Sequence, residues 1–186
     1  MGVKPIARPL LLALLLVLAP ARAAEITVNI TRDGDALHVD ARADFEGTVS
    51  RAWQVLTDYE RFAEFVPDIQ SSRVVSRDGN RVQVEQKGEA RLLFFSFPID
   101  VRLAITEQPN ARIVSRSVGG NFREMQGVYM LEAEQGRVSL RYTGRMVPDF
   151  YVPPLIGTLV LRRNVENTFR ALVDEIERWP EQPQKP

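Results

Sequence analysis

"LRRNVENTFRALVDEIERW", residues 161–179, is the stretch on which the fold turns. Leu161, Val165, Phe169, Leu172, Val173, Ile176 and Trp179 recur at helical spacing and form one apolar stripe. Arg162, Glu166, Arg170, Asp174 and Arg178 follow one another at i+4 with alternating sign, as on a solvated helix face. The spacing predicts a long amphipathic helix that Pro180 stops, followed by a polar tail over residues 181–186. Its stripe needs a partner surface, and the residues before it are mostly strands.

From residue 69 to residue 147 the pattern alternates, punctuated by Asp78-Gly79, Gln108-Pro109-Asn110, Gly119-Gly120 and Gln135-Gly136. The predicted strands are 70–77, 81–91, 96–107, 111–118, 123–134 and 137–147. Tight turns between consecutive strands make an antiparallel meander. Upstream, residues 25–31 and 36–45 alternate around Asp33-Gly34 and predict a further hairpin. The fold class is therefore α+β: a curved antiparallel sheet whose concave face takes the helix stripe. On 82–90, 127–131 and 138–146 the inward parity mixes large residues with Gly88, Gly127 and Gly144. Mid-strand glycine weakens a sheet unless something requires it, and these three positions predict strong curvature with space beneath it.

Between the hairpin and the meander lies "AWQVLTDYERFAEFVPDI", residues 52–69, dense in aromatic rings. Val49, Ala52, Trp53 and Leu56 form a first stripe and Phe62, Phe65 and Val66 a second. The reading is two short helices, 53–57 and 59–66, with Asp58 capping the second and Pro67 ending it. This corner, a meander containing "GGNFREMQGVYMLEAEQGRVSLRY" (119–142) and a closing helix after "VPPLIG" (152–157) resemble the polyketide cyclase/dehydrase group. That group lies in the START-like helix-grip (SRPBCC) superfamily, near the coenzyme Q-binding and ribosome-associated toxin-like proteins. The string Trp53-x-x-Leu56-x-Asp58-Tyr59…Phe65-Val66-Pro67 carries the resemblance most specifically, and it extends over about residues 36–179. It implies a helix-grip fold with the short helices closing one end of a cavity, plus an extra N-terminal strand. Trp53 and Leu56 would plug that end, and Tyr59, Phe62 and Phe65 would shape its wall.

The chain has 186 residues, 45% of them apolar and 26% charged, an ordinary globular balance for one domain. The domain is expected over residues 24–180. Formal net charge is zero and no Lys/Arg block exceeds two residues, so nucleic acid is not an expected partner. Residues 1–23 read as a secretory signal peptide: Lys4 and Arg8, an apolar run over 10–19, then Ala21-Arg22-Ala23. The run makes only about 15 Å of helix, too short to span a bilayer. Cleavage there removes Lys4, Arg8 and Arg22 and no acid, leaving 21 basic against 24 acidic residues. The expected location is the periplasm, where a chain without cysteine has no thiol to protect.

Chemistry is sparse. With no cysteine and one histidine, His38 on the charged face of its strand, neither a nucleophile–base pair nor a His/Cys metal site is expected. No cofactor loop is present, since Gly119-Gly120 lies between strands. The superfamily includes cyclases, and proton-moving candidates here are Glu124, Tyr129, Tyr142 and Arg145. "RLLFFSFPI" (91–99) places Phe94, Phe95 and Phe97 at a strand junction, with Phe95 and Phe97 read as outward and available to a membrane or protein partner. "VPDFYVPPLIG" (147–157) reads as a proline-rich connector with Phe150, Tyr151, Leu155 and Ile156 as the lip of a cavity mouth.

The expected function is binding or transport of an apolar or amphipathic small molecule, such as a lipid or isoprenoid quinone, between helix and sheet. The expected lining is Phe62, Phe65, Gln86, Leu103, Tyr129, Tyr142, Leu155, Ile156 and Leu159. Two alternatives stand beside it: a cyclase- or dehydratase-type enzyme acting on a hydrophobic substrate, and a module docking a protein or membrane.

Overall fold

The computed structural model describes residues 24–92, 94–134 and 136–178. The segment read as a signal peptide, Trp179 and the polar tail lie outside the described residues. Eight strands form one antiparallel sheet: β1 (Glu25–Asp33), β2 (Ala36–Glu46), β3 (Ile69–Asp78), β4 (Arg81–Leu92), β5 (Phe95–Gln108), β6 (Arg112–Gly120), β7 (Phe122–Glu134) and β8 (Arg137–Pro148). Their order is β1-β2-β8-β7-β6-β5-β4-β3, so the N-terminal hairpin joins the meander through β2 and β8. Every meander strand matches its predicted position to within two residues.

Helix α3 (Pro154–Arg178) lies on the concave face of this sheet. Val165, Phe169, Leu172, Val173 and Ile176 are buried, with Phe45 of β2 and Leu140 of β8 in the same core. Each such side chain withdrawn from water contributes about 1.5–3 kcal/mol before entropy is counted. The helix starts seven residues earlier than the stripe that revealed it. Pro154 suits a first helical turn, where its missing N–H is not needed, so the expected connector shortens to residues 149–153.

The aromatic corner consists of α1 (Val49–Thr57), a 3-10 turn (Tyr59–Arg61) and α2 (Phe62–Phe65). Thr48 caps α1, its Oγ1 accepting from the Arg51 N–H at 3.2 Å. Asp58 makes no side-chain cap for the following turn, contrary to expectation. Its carboxylate instead accepts from Arg61, which also donates to Glu64 and to the buried Glu175 of α3 at 3.1 Å. Arg61 thereby ties the corner to the long helix, and Leu56 is buried beneath it while Trp53 is half-buried.

Candidate functional site

The inward parity of β7 and β8 meets at two register pairs, Gly127–Gly144 and Tyr129–Tyr142. A Cβ on either glycine would stand 2.5 Å from the Tyr142 hydroxyl oxygen. The phenol therefore lies flat along the sheet over both glycines, and Tyr129 sits above it with ring centroids 4.5 Å apart. Phe169 of α3 stacks on Tyr129 at 6.4 Å. Gly88 has another cause: a side chain there would collide with the carbonyl of Asp68, where the chain leaves the corner. The sequence reading of open space is thus corrected at Gly127 and Gly144, which admit a ring; Gly88 admits a backbone and also borders one of the chambers described next.

The hollow lies beside the tyrosines, as three adjoining chambers between α3 and the sheet. A deep chamber of about 130 Å³ is lined by Leu56, Phe62, Leu103, Ile113, Ser115 and Leu172, among others. A middle chamber of about 160 Å³ lies against Ile99, Val101, Leu161, Asn164 and Val165. Gln86, Tyr129, Tyr142 and Thr168 border both. The third, about 110 Å³, is bounded by Ala90, Phe97, Phe122, Phe150, Val152 and Val160. Along α3 the lining runs from Gly157 to Leu172, about 22 Å of helix. Each chamber alone falls short of the roughly 300–1,000 Å³ of a typical ligand site, so a guest of that class must span more than one.

Of the side chains expected to line a ligand, Phe62, Gln86, Leu103, Tyr129 and Tyr142 face these chambers. Phe65 packs against Phe62, centroids 5.6 Å apart, and borders none of the three. Leu155 and Leu159 point outward, 81% and 56% exposed, and Ile156 lies between them outside all three linings. Their displacement follows from the early helix start: residues read as a loop lip belong to the first turns of α3, on its outer side. Met125, Met146 and Thr168 were missed. The methionines share inward parity with the two tyrosines, which was a usable signal; Thr168 sits at the polar margin of the helix stripe.

The proton-moving candidates separate into two places. Glu124 and Arg145 pair with each other away from the chambers, Glu124 largely exposed. Tyr129 and Tyr142 face the interior. Burial pushes the Tyr142 phenol up to about 12 and lifts Tyr129 further, the neighbouring Tyr142 adding to the rise. Both remain protonated hydrogen-bond donors at neutral pH. At the deep end Tyr59 donates to the buried Glu107 at 3.0 Å, and Arg77 closes on the same carboxylate at 3.0 Å.

The outer chamber ends in an aromatic clasp. Phe150 stacks on Phe97 at 6.0 Å and meets Phe122 edge-on at the same separation. Phe97 is therefore turned inward, against its expected outward direction; Phe95 is 39% exposed, and Phe94 stands almost fully exposed at the hairpin tip. Arg32 of β1 donates to the Val152 carbonyl at 3.1 Å, fastening the connector beside this clasp.

The profile of the polyketide cyclase/dehydrase and lipid transport family matches residues 45–180. The chain belongs to that family. Solved structures of similar fold include the Zhui aromatase/cyclase of a Streptomyces species, with a TM-score of 0.66 at 16% identity, covering 77% of this chain and 94% of that one. A START superfamily protein of Mycobacterium smegmatis aligns with a TM-score of 0.64 at 14% identity over 76% and 97% of the two chains. A STAR-related lipid transfer protein of Xanthomonas axonopodis aligns at 0.59 and 12% identity over 81% and 99%. At these identities the likeness is one of fold. Comparison with curated proteins returned no match.

Proposed function

We propose that the protein is a periplasmic carrier that binds one apolar or amphipathic small molecule, a lipid or an isoprenoid quinone, between α3 and the sheet. The observation that carries this reading is the run of chambers along α3, lined mostly by aliphatic and aromatic side chains with a few hydroxyls and amides, Asp68 and Lys87 being the charged exceptions at the middle chamber. Such a lining offers affinity through apolar area, at roughly 25 cal/mol per Å² removed from water. The exposed Phe94, Tyr151 and Leu155 suit transient contact with a membrane from which such a ligand is drawn. The basic–apolar–Ala-x-Ala start of the sequence supports export.

Native mass spectrometry of protein recovered from the periplasm tests both parts. A chain beginning at Ala24 with an organic-extractable mass bound at one per protein is the expected result. Empty protein that also fails to take up an apolar fluorescent probe would overturn the carrier reading, and an intact N-terminus on cytoplasmic protein would overturn the location.

A cyclase-type activity is the second reading, favoured by the two interior phenols, which could polarise a substrate carbonyl. Among residues bordering the chambers the one carboxylate is Asp68, which accepts from Asn164 Nδ2 at 2.7 Å. Turnover of an aromatic polyketide mimic, lost on Asp68→Asn, would establish that reading over simple carriage.

A further inference from the structure

The hydroxyls of the interior cluster at the junction of the deep and middle chambers, while Asp68, Lys87 and Asn164 border the middle chamber alone or with the outer one. Tyr129, Tyr142, Thr168 and Gln86 border both. Gln86 is already engaged, its Nε2 donating to Ser72 Oγ at 3.2 Å, and nearby Ser115 donates to the Gly127 carbonyl at 3.3 Å. The hydroxyls of Tyr129, Tyr142 and Thr168 have no hydrogen-bond partner among the described residues. Tyr142 is 8% exposed, so its hydroxyl has little access to bulk solvent. Tyr129 and Thr168 are half-buried, and all three residues border the chambers, so their hydroxyls are free to donate to an occupant. Three uncommitted donors at one junction point to a guest that supplies the acceptor.

The charge of that guest follows from what surrounds it. No Lys, Arg or His borders the deep chamber. Arg77, at that end, is committed to Glu107 behind Tyr59. The middle chamber is bordered by one cation, Lys87, which is 64% exposed and pairs with Asp100 at 3.5 Å, and by the carboxylate of Asp68. A carboxylate or phosphate brought to the junction would lose hydration beside an acid and a cation already paired, which is costly for an ion and tolerable for a neutral oxygen. Toward the clasp the lining is almost wholly apolar, with Asn164 the one polar side chain.

We propose that Tyr129, Tyr142 and Thr168 form the head-group site for a neutral carbonyl oxygen, as in a ketone, quinone or ester, whose apolar body extends along α3 to the Phe97–Phe150 clasp. The inference rests on the carrier reading above and adds the ligand's polarity and direction to it.

The test is a competition experiment on the exported protein, displacing a bound apolar fluorescent probe with methyl undecyl ketone, tridecane or tridecanoic acid, which have equal carbon number. At neutral pH the ketone is expected to displace the probe about tenfold more tightly than the hydrocarbon, and the ionised acid to bind more weakly than the ketone. In a Tyr129→Phe/Tyr142→Phe variant the ketone-to-hydrocarbon ratio should fall about three- to tenfold, the share of two hydrogen bonds. The single Tyr129→Phe and Thr168→Val variants carry the same direction of change should the double variant fold poorly. Equal affinity of ketone and hydrocarbon, a ratio unaltered by the phenylalanines, or preference for the acid would overturn the head-group assignment while leaving a carrier. Failure of the fluorescent probe itself to bind would remove the carrier reading and this inference together.

Discussion

Gly127 and Gly144 face each other across β7 and β8 because a phenol lies on them, and that contact sets their mutational response. Glycine to alanine in an exposed strand ordinarily gains a few tenths of a kcal/mol or more from reduced backbone entropy. Here the new methyl would meet the Tyr142 ring, which is itself held under Tyr129. Gly144→Ala is therefore expected to destabilise by about 1–3 kcal/mol, the range of overpacked cores. Combined with Tyr142→Ala, most of that cost should vanish, and urea denaturation of the cycle reads it; strict additivity would place the strain elsewhere. The same burial governs alkaline behaviour. Tyr142 ionises near 12 when folded against 10 when free, and Tyr59 and Tyr129 are shifted in the same direction. Their folded pKa values are raised, so the stability they contribute is whole below pH 10 and drains away as pH climbs from 10 through 12 and beyond. Absorbance titration should show these three phenols silent until the fold opens; smooth ionisation of all of them with native circular dichroism would contradict their burial.

At the scale of elements, the corner of α1, the 3-10 turn and α2 has too little internal hydrogen bonding to stand alone and is held from outside. Arg61 reaches Glu175 of α3, and Tyr59 reaches Glu107 of β5. Glu107→Ala leaves the Tyr59 hydroxyl buried without its acceptor and Arg77 without its partner, so a loss of about 2–3 kcal/mol is expected in thermal or urea unfolding. Tyr59→Phe keeps the Arg77–Glu107 pair and should cost about 1 kcal/mol; an equal or greater loss would show that the hydroxyl, not the ion pair, anchors the corner. These long-range ties were invisible in the sequence, where Asp58 looked like a cap and nothing singled out Glu107. Period-two alternation located the strands well because one face of each is buried. The helix start was misplaced because Pro153-Pro154 punctuates a chain as well as it begins a helix, and Leu155, Ile156 and Leu159 went astray with it. Gln86, Leu103, Tyr129 and Tyr142 were legible as cavity residues through strand parity alone. What parity could not convey was that glycines across from one another make room for a ring of their own strand.

For the whole molecule, β1 and β2 begin ahead of the residues matched to the family, and β1 adds the outermost strand beside β2. Arg32 of β1 holds the Val152 carbonyl and Arg162 of α3 donates to the Val28 carbonyl at 2.9 Å, so this strand secures the start of α3 next to the clasp. Inside that frame one side chain borders all three chambers, Met125 of β7. Opposite it in register is Met146, which borders the middle and outer chambers. Unbranched thioethers adapt to irregular space, so the partition between chambers is built from the side chains most able to move aside. Because no single chamber holds a typical ligand, a guest that spans them passes Met125. Met125→Trp should fix the partition in place: binding of an apolar fluorescent probe is expected to fall tenfold or more, while the melting temperature changes little because the added ring fills existing space. Met125→Ala should do the reverse, merging the chambers and admitting longer chains at a stability cost of about 2 kcal/mol. Equal probe binding by both variants would mean that the guest never crosses this point, and would confine it to one side of the methionines.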